Sequence, residues 1–257
     1  MSDLFALTGK RVLITGGAQG LGHMIAQEFL RRGAHVTITS RTEEVSRQAA
    51  EELCTLGPCT GLVADLSTPE GAVALADQVK TSGEPLHILI NNAGKSAGGL
   101  IETLPDQSWP DLMSINVQTP FTLVRELLPL LRAAATSDDP ARIVNLGSFA
   151  GHTLPLRPTF SYSASKAAVH HLTRMLAAEL APSNITVNAV APGYFTTRMT
   201  SAIPKSHMDE MPGIVPLGRL GKPDDIAASC VYLCSMAGAY VTGVLLPVDG
   251  GLSRARP

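Results

Sequence analysis

Aromatic side chains are scarce in this chain: six Phe, four Tyr and one Trp make up 4% of its 257 residues. A buried core must therefore come from small aliphatic side chains, which suits a globular protein within the 45% apolar fraction. Cysteine is equally sparse, and the four thiols at 54, 59, 230 and 234 follow neither a zinc ribbon nor the disulfide framework of a small secreted domain. Cys230 and Cys234 stand one helical turn apart and read as small apolar core residues. The seven histidines are unclustered, and even adjacent His170 and His171 fall on different faces of a helix, so no metal site is expected.

A large excess of charge of either sign is missing too. With 20 basic and 22 acidic residues the net charge is -2, which offers no positive field to a nucleic acid backbone or an anionic bilayer. No apolar run reaches the roughly 18 residues of a membrane span, and Lys10-Arg11 follow a short mixed segment, unlike the order in a secretory signal. These absences lead to the expectation of a cytoplasmic protein acting on a small molecule, without nucleic acid or membrane partners.

What the chain does have is alternation. Residues 10–15, 34–39, 60–64, 86–90, 141–146, 185–190 and 244–248 are near-continuous aliphatic runs rich in β-branched residues, the pattern of strands covered on both faces. Between them, helical periodicity occupies 21–32, 42–56, 69–81, 106–135, 160–180 and 223–236. Connections of this length exclude hairpins and predict an α/β fold: a Rossmann-type, doubly wound parallel sheet of about seven strands, in a single domain spanning 1–257. Pro120 and Pro129 predict a kink or two helices within 106–135. The irregular stretch 196–216 is a candidate substrate lid. On such sheets ligands bind beyond the carboxyl ends of the strands, so chemistry is sought just after each strand.

The first strand runs into Thr15-Gly16-Gly17-Ala18-Gln19-Gly20-Leu21-Gly22 and then a helix. Glycines there let the backbone turn tightly and approach a pyrophosphate, whose charge meets free amides and the positive end of the helix dipole. Gly16, Gly20 and Gly22 are spaced TGxxxGxG, which resembles the short-chain dehydrogenase/reductase family. After the second strand come Ser40 and Arg41, where an NAD-binding site usually carries an acid. An acid would repel a 2′-phosphate, whereas Ser40 can donate to it and Arg41 can pair with its charge, so NADP(H) is the expected cofactor.

The resemblance continues along the whole chain. Asp65-Leu66 is similar to the family's adenine contact, and Asn91-Asn92-Ala93-Gly94 to its NNAG motif. Ser148 after the fifth strand and Tyr162-Ser163-Ala164-Ser165-Lys166 within a helix are the most specific part. A spacing of four puts Tyr162 and Lys166 on one helix face, where an ammonium would stabilise phenolate and lower a phenol pKa that is otherwise near 10. YxxxK alone occurs often by chance; four signals in the family's order do not.

The resemblance implies Tyr162 as proton donor, Ser148 as hydrogen-bond donor to the carbonyl oxygen, Lys166 on the nicotinamide ribose, and Asn116 anchoring a proton-conducting water. It also assigns Gly16, Gln19, Gly20, Leu21, Gly22, Ser40, Arg41, Asp65, Leu66, Asn92, Ala93, Gly94, Pro192, Gly193, Phe195 and Thr197 to the cofactor. Candidate substrate-pocket residues, which lie beside these motifs, are Ser96, Phe149, His152, Leu154, Tyr194 and Met199. Residues 240–251 look like the family's last strand and tail, which implies a homotetramer.

Residues 127–151, 174–180 and 238–243 look like the bacterial 3-oxoacyl reductases associated with rhamnolipid synthesis, which suggests a β-keto substrate. Two departures stand out. Ser148 and Tyr162 are one residue further apart than in many relatives, and Ala181-Pro182-Ser183 replaces an arginine that carrier-protein-dependent ketoreductases often place there. The expected reaction is NADPH-dependent reduction of a ketone to a secondary alcohol. The alternatives are a sugar or polyol dehydrogenase on the same scaffold, and a dinucleotide-sensing regulator without turnover.

Overall fold

Among the residues that the computed structural model describes, 3–196 and 211–253, seven strands form one sheet. They are β1 (Arg11–Ile14), β2 (His35–Ser40), β3 (Cys59–Val63), β4 (Ile88–Asn91), β5 (Ala141–Leu146), β6 (Ile185–Pro192) and β7 (Leu245–Val248). Their order is β3-β2-β1-β4-β5-β6-β7, and every neighbouring pair is parallel. The chain winds outward from β1 to β3, then crosses back to β4 and winds the other way. Strand order therefore reverses between β1 and β4, which opens a crevice at their carboxyl ends.

Helices among the described residues include α1 (Gly20–Arg31), α2 (Glu43–Leu53), α3 (Pro69–Lys80), α4 (Ser108–Met113), α5 (Thr119–Ala134), α6 (Phe160–Leu180) and α7 (Pro223–Cys234). Side-chain alternation along each strand divides the core into two layers. Val12, Ile14, Ile88, Ile90 and Val144 pack with Ile25 and Phe29 of α1, Leu53 of α2 and Ile226, Cys230 and Cys234 of α7. Leu13, Leu89 and Ile143 face the other way, onto Leu75 of α3, Leu127 of α5 and Leu180 of α6. Each fully buried Leu, Ile or Phe contributes about 1.5–3 kcal/mol, so many modest side chains do the work of a few aromatics.

Several expectations need correction. Strands β3 and β7 are not covered on both faces: both are sheet edges, with Val63 exposed at the end of β3 and every residue of β7 half-buried. The second helix ends at Leu53 and the last at Cys234, both short of their predicted limits. The 106–135 stretch is two α-helices joined by a π-helical segment, Ser114–Gln118. Pro120 lies in the first turn of α5, directly after the π-helical segment, while Pro129 lies inside the helix. Most of the predicted lid, residues 197–210, falls outside the described residues.

Candidate active site

The crevice is built first by glycines. Gly16 and Gly20 have φ of 63° and 58°, the left-handed region that glycine alone enters freely. Gly22 serves a different purpose, because a Cβ there would overlap the Asn92 amide. That amide donates to Thr15 O at 2.8 Å and Gly16 O at 3.1 Å, strapping the end of β4 onto the loop. From the other side, Thr15 Oγ1 accepts the N–H groups of Asn92 and Ala93, each at 3.0 Å. Helix α1 starts at Gly20 with no side-chain cap and no acidic residue in its first turn, which leaves its amide end suited to an anion. This bare, glycine-lined helix start fits a dinucleotide pyrophosphate.

At the β2 exit, Arg41 is exposed. Ser40 is oriented otherwise than expected: its hydroxyl donates to Thr42 O at 2.7 Å, so its proton is already committed within the chain. Asp65 sits nearby, its carboxyl held below the usual range first by hydrogen bonding with Ser67 and then by the charges of Lys95 and Arg41. Leu66 is buried, and its carbonyl accepts from Thr119 at 3.0 Å.

The predicted chemical residues converge beyond β5. Ser148 is buried in extended backbone after β5, and its Oγ accepts the Ala150 N–H at 3.2 Å. Tyr162 and Lys166 lie on one face of α6, with Lys166 Nζ 5.7 Å from the Tyr162 ring centroid. Their electrostatics differ from the expectation. Burial pushes the Tyr162 phenol up, and the group opposing that shift is Ser148, through hydrogen bonding, not Lys166. The Lys166 ammonium donates instead to Leu146 O at 2.7 Å, and burial lowers its pKa to about 8.

Asn116 sits in the π-helical segment and is fully engaged. Its Oδ1 accepts from Lys95 N at 3.0 Å, and its Nδ2 donates to Lys95 O at 3.0 Å and Ser165 Oγ at 2.9 Å. Gly94 is small for the same reason: a Cβ would lie 2.8 Å from Asn116 Oδ1. Asn116 thus joins the Gly94-Lys95 turn to α6, beside Tyr162.

The remaining assignments divide. Gly193 is required where the Asp249 backbone crosses, since a Cβ would come within 2.7 Å of Asp249 Cα; Pro192 ends β6. The Phe195 side chain is buried and packs against Gly221. Phe149 and Tyr194 meet edge to face at 5.0 Å and, with Val215 and Leu252, form an apolar wall. Ser96 and His152 are exposed beside the site. Leu154 does not line a wall at all: it is 82% exposed on the loop after the short 3-10 turn Phe149–Gly151. Thr197 and Met199 lie outside the described residues.

Further side chains support these residues from behind. Asn91 Nδ2 donates to Asn145 Oδ1 at 2.8 Å, and Asn145 Nδ2 to Thr173 Oγ1 at 2.9 Å, a buried chain linking β4, β5 and α6. His170, buried one turn beyond Lys166, accepts the Ser148 N–H. Sequence reasoning missed His170 and Thr173, to which only the 3.6-residue period of α6, shared with Tyr162 and Lys166, could have pointed.

A doubly wound sheet with this crevice and a Ser-Tyr-Lys set at its mouth defines a dinucleotide-dependent oxidoreductase. A family model described as enoyl-(acyl carrier protein) reductase matches residues 16–253, and the chain belongs to the short-chain dehydrogenase/reductase family. It is 42% identical over 253 residues to the rhamnolipids biosynthesis 3-oxoacyl-[acyl-carrier-protein] reductase of Pseudomonas aeruginosa, covering 98% of this chain and 99% of that protein. It is 38% identical over 258 residues to a galactitol 2-dehydrogenase (L-tagatose-forming) of Cereibacter sphaeroides, covering 96% of each. Among solved structures, the Pseudomonas aeruginosa RhlG/NADP active-site complex superposes with a TM-score of 0.95 at 42% identity, over 98% of this chain and 100% of that one.

Proposed function

We propose that this enzyme reduces a ketone, a β-ketoacyl group or similar oxo compound of small to medium size, to a secondary alcohol with NADPH, and runs in reverse as a secondary alcohol dehydrogenase. One observation carries the reading: Ser148, Tyr162 and Lys166 come together beyond the end of β5, the neighbour of β4, with Ser148 hydrogen-bonded to Tyr162 and Lys166 Nζ 5.7 Å from its ring. Tyr162 gives its proton to the carbonyl oxygen, and Ser148 donates a hydrogen bond to that oxygen as charge develops there. Bound NADPH supplies the hydride.

Gly16, Gln19, Gly20, Leu21 and Gly22 would hold the pyrophosphate, Asp65 and Leu66 the adenine, and Asn92, Ala93, Gly94 and Lys166 the nicotinamide half. Arg41 would pair with the 2′-phosphate, because no carboxylate at position 40 repels it. Relatives support the substrate class, and the Phe149-Tyr194 wall favours an apolar chain over a polyol, whose hydroxyls would need several pocket donors.

The reading extends to a homotetramer in the cytoplasm, where free thiols such as those of this chain persist. The half-buried edge strand β7 and exposed Phe121 and Met175 on α5 and α6 offer apolar surface to further copies. NADPH consumption with β-ketoesters, aliphatic ketones, diketones and ketoses tests the function. Turnover is expected with β-ketoesters; turnover confined to ketoses would make it a sugar dehydrogenase.

A further inference from the structure

The backbone that presents Ser148 is held by a side chain outside the expected catalytic set. Position 148 follows β5 in extended conformation, with φ -167° and ψ 150°, and no ladder bond fixes it as one fixes Gly147, whose N–H reaches Val190 O at 2.7 Å. The Ser148 N–H points instead to His170 Nε2, at 3.3 Å. His170 is 3% exposed, sits on α6 one turn beyond Lys166, and is enclosed by two glycines. A Cβ on Gly147 would overlap its Nε2, and one on Gly151 would come within 2.6 Å of its Cε1. The turn is thus moulded on the ring from both sides, and His152 closes the cluster with its ring centroid 5.6 Å away.

We propose that His170 is a positioning residue for catalysis: its neutral imidazole, protonated on Nδ1, accepts the Ser148 N–H and sets where the Ser148 hydroxyl meets the substrate oxygen. The inference rests on the ketoreductase reading above. An acceptor at Nε2 requires the proton on Nδ1, so the tautomer follows from the bond. Because His170 and Tyr162 share one helix, the imidazole also ties the height of Ser148 to that of the proton donor. Small errors there are costly, since an oxyanion donor acts only at hydrogen-bond distance.

The test is a double-mutant cycle. His170→Leu keeps an apolar side chain of comparable size but no acceptor. It is expected to lower kcat roughly ten- to hundredfold, with NADPH affinity within about twofold of wild type. On a Ser148→Ala background the same change should lower kcat by less than about twofold, because the group it positions is already gone. His170→Gln, whose amide oxygen can accept the same N–H, should recover part of the loss.

Equal losses on both backgrounds, or no advantage of Gln over Leu, would overturn the inference and leave the catalytic reading standing. Wild-type turnover in Ser148→Ala alone would sink that reading, and the inference with it. A measurement on the unmutated protein is independent of any folding defect: ¹⁵N spectra of labelled histidine should show His170 protonated on Nδ1, and protonation on Nε2 would exclude the proposed bond.

Discussion

Lys166 Nζ and the Leu146 carbonyl oxygen are joined by a 2.7 Å hydrogen bond, so the buried ammonium is tied to the last residue of β5. Burial lowers the lysine from 10.5 to about 8, which makes its charge a burden on the fold on the order of 3 kcal/mol at neutral pH. Since the unfolded chain binds more protons between those two values, wild-type stability should climb as pH rises across that window. Lys166→Met removes the burden but leaves a carbonyl unpaired, at about 1–3 kcal/mol. Urea unfolding at neutral pH should show little net loss of stability, while kcat falls at least about a hundredfold. A parallel collapse of stability would give the lysine a structural role first.

Tyr162→Phe removes the proposed proton and should lower kcat roughly 10²- to 10⁴-fold with NADPH affinity preserved. Burial raises the phenol, so the Tyr162 proton itself should not limit wild-type reduction across the neutral range, and a loss of rate above about pH 8 should follow Lys166. Wild-type turnover by the variant would remove Tyr162 from the chemistry.

Arg41→Ala should raise KM for NADPH roughly ten- to hundredfold, the value of a charge-assisted bond, and leave NADH nearly unchanged. With the Ser40 proton directed to Thr42 O, the selectivity should rest on Arg41, and Ser40→Ala should matter much less. Equal losses for both cofactors would remove the assignment.

His170 gives a stability signature of its own. Burial, reinforced by the charges of His152, Lys166 and Arg174, lowers its pKa from 6.5 to about 4. Both states are neutral above 6.5; as pH falls from there to about 4 the unfolded chain takes up the proton and the fold does not, so stability is lost across that window. The loss is on the order of 3 kcal/mol, and urea titrations at a series of pH values should show it reduced in His170→Leu.

Gly22→Ala tests the strap between β4 and the loop. The new methyl displaces the Asn92 amide, and overpacking of this kind costs about 1–3 kcal/mol. Dinucleotide titration should show weaker binding as well; unchanged affinity would mean that the loop adjusts freely.

The strand-helix alternation was legible because parallel strands buried on both faces read as aliphatic runs. Which strands form the edges was not, since β3 and β7 carry the same residue types as the centre. Tyr162 and Lys166 were found through the order of the family's motifs, which their spacing of four on one helix fits. His170 was passed over because its partner Ser148 lies 22 positions earlier and only the fold brings them together. Ser40 and Leu154 were placed by residue type and proximity in sequence; rotamer and loop path decided otherwise.

The π turn at Ser114–Gln118 holds one more residue than a regular turn, and Asn116 owes its inward aim to that surplus. Shortening the segment by a single residue would regularise the helix and swing the asparagine about a quarter of a revolution away. Engineers seeking heat tolerance through helix idealisation would thus trade the junction beside Tyr162 for a smoother cylinder.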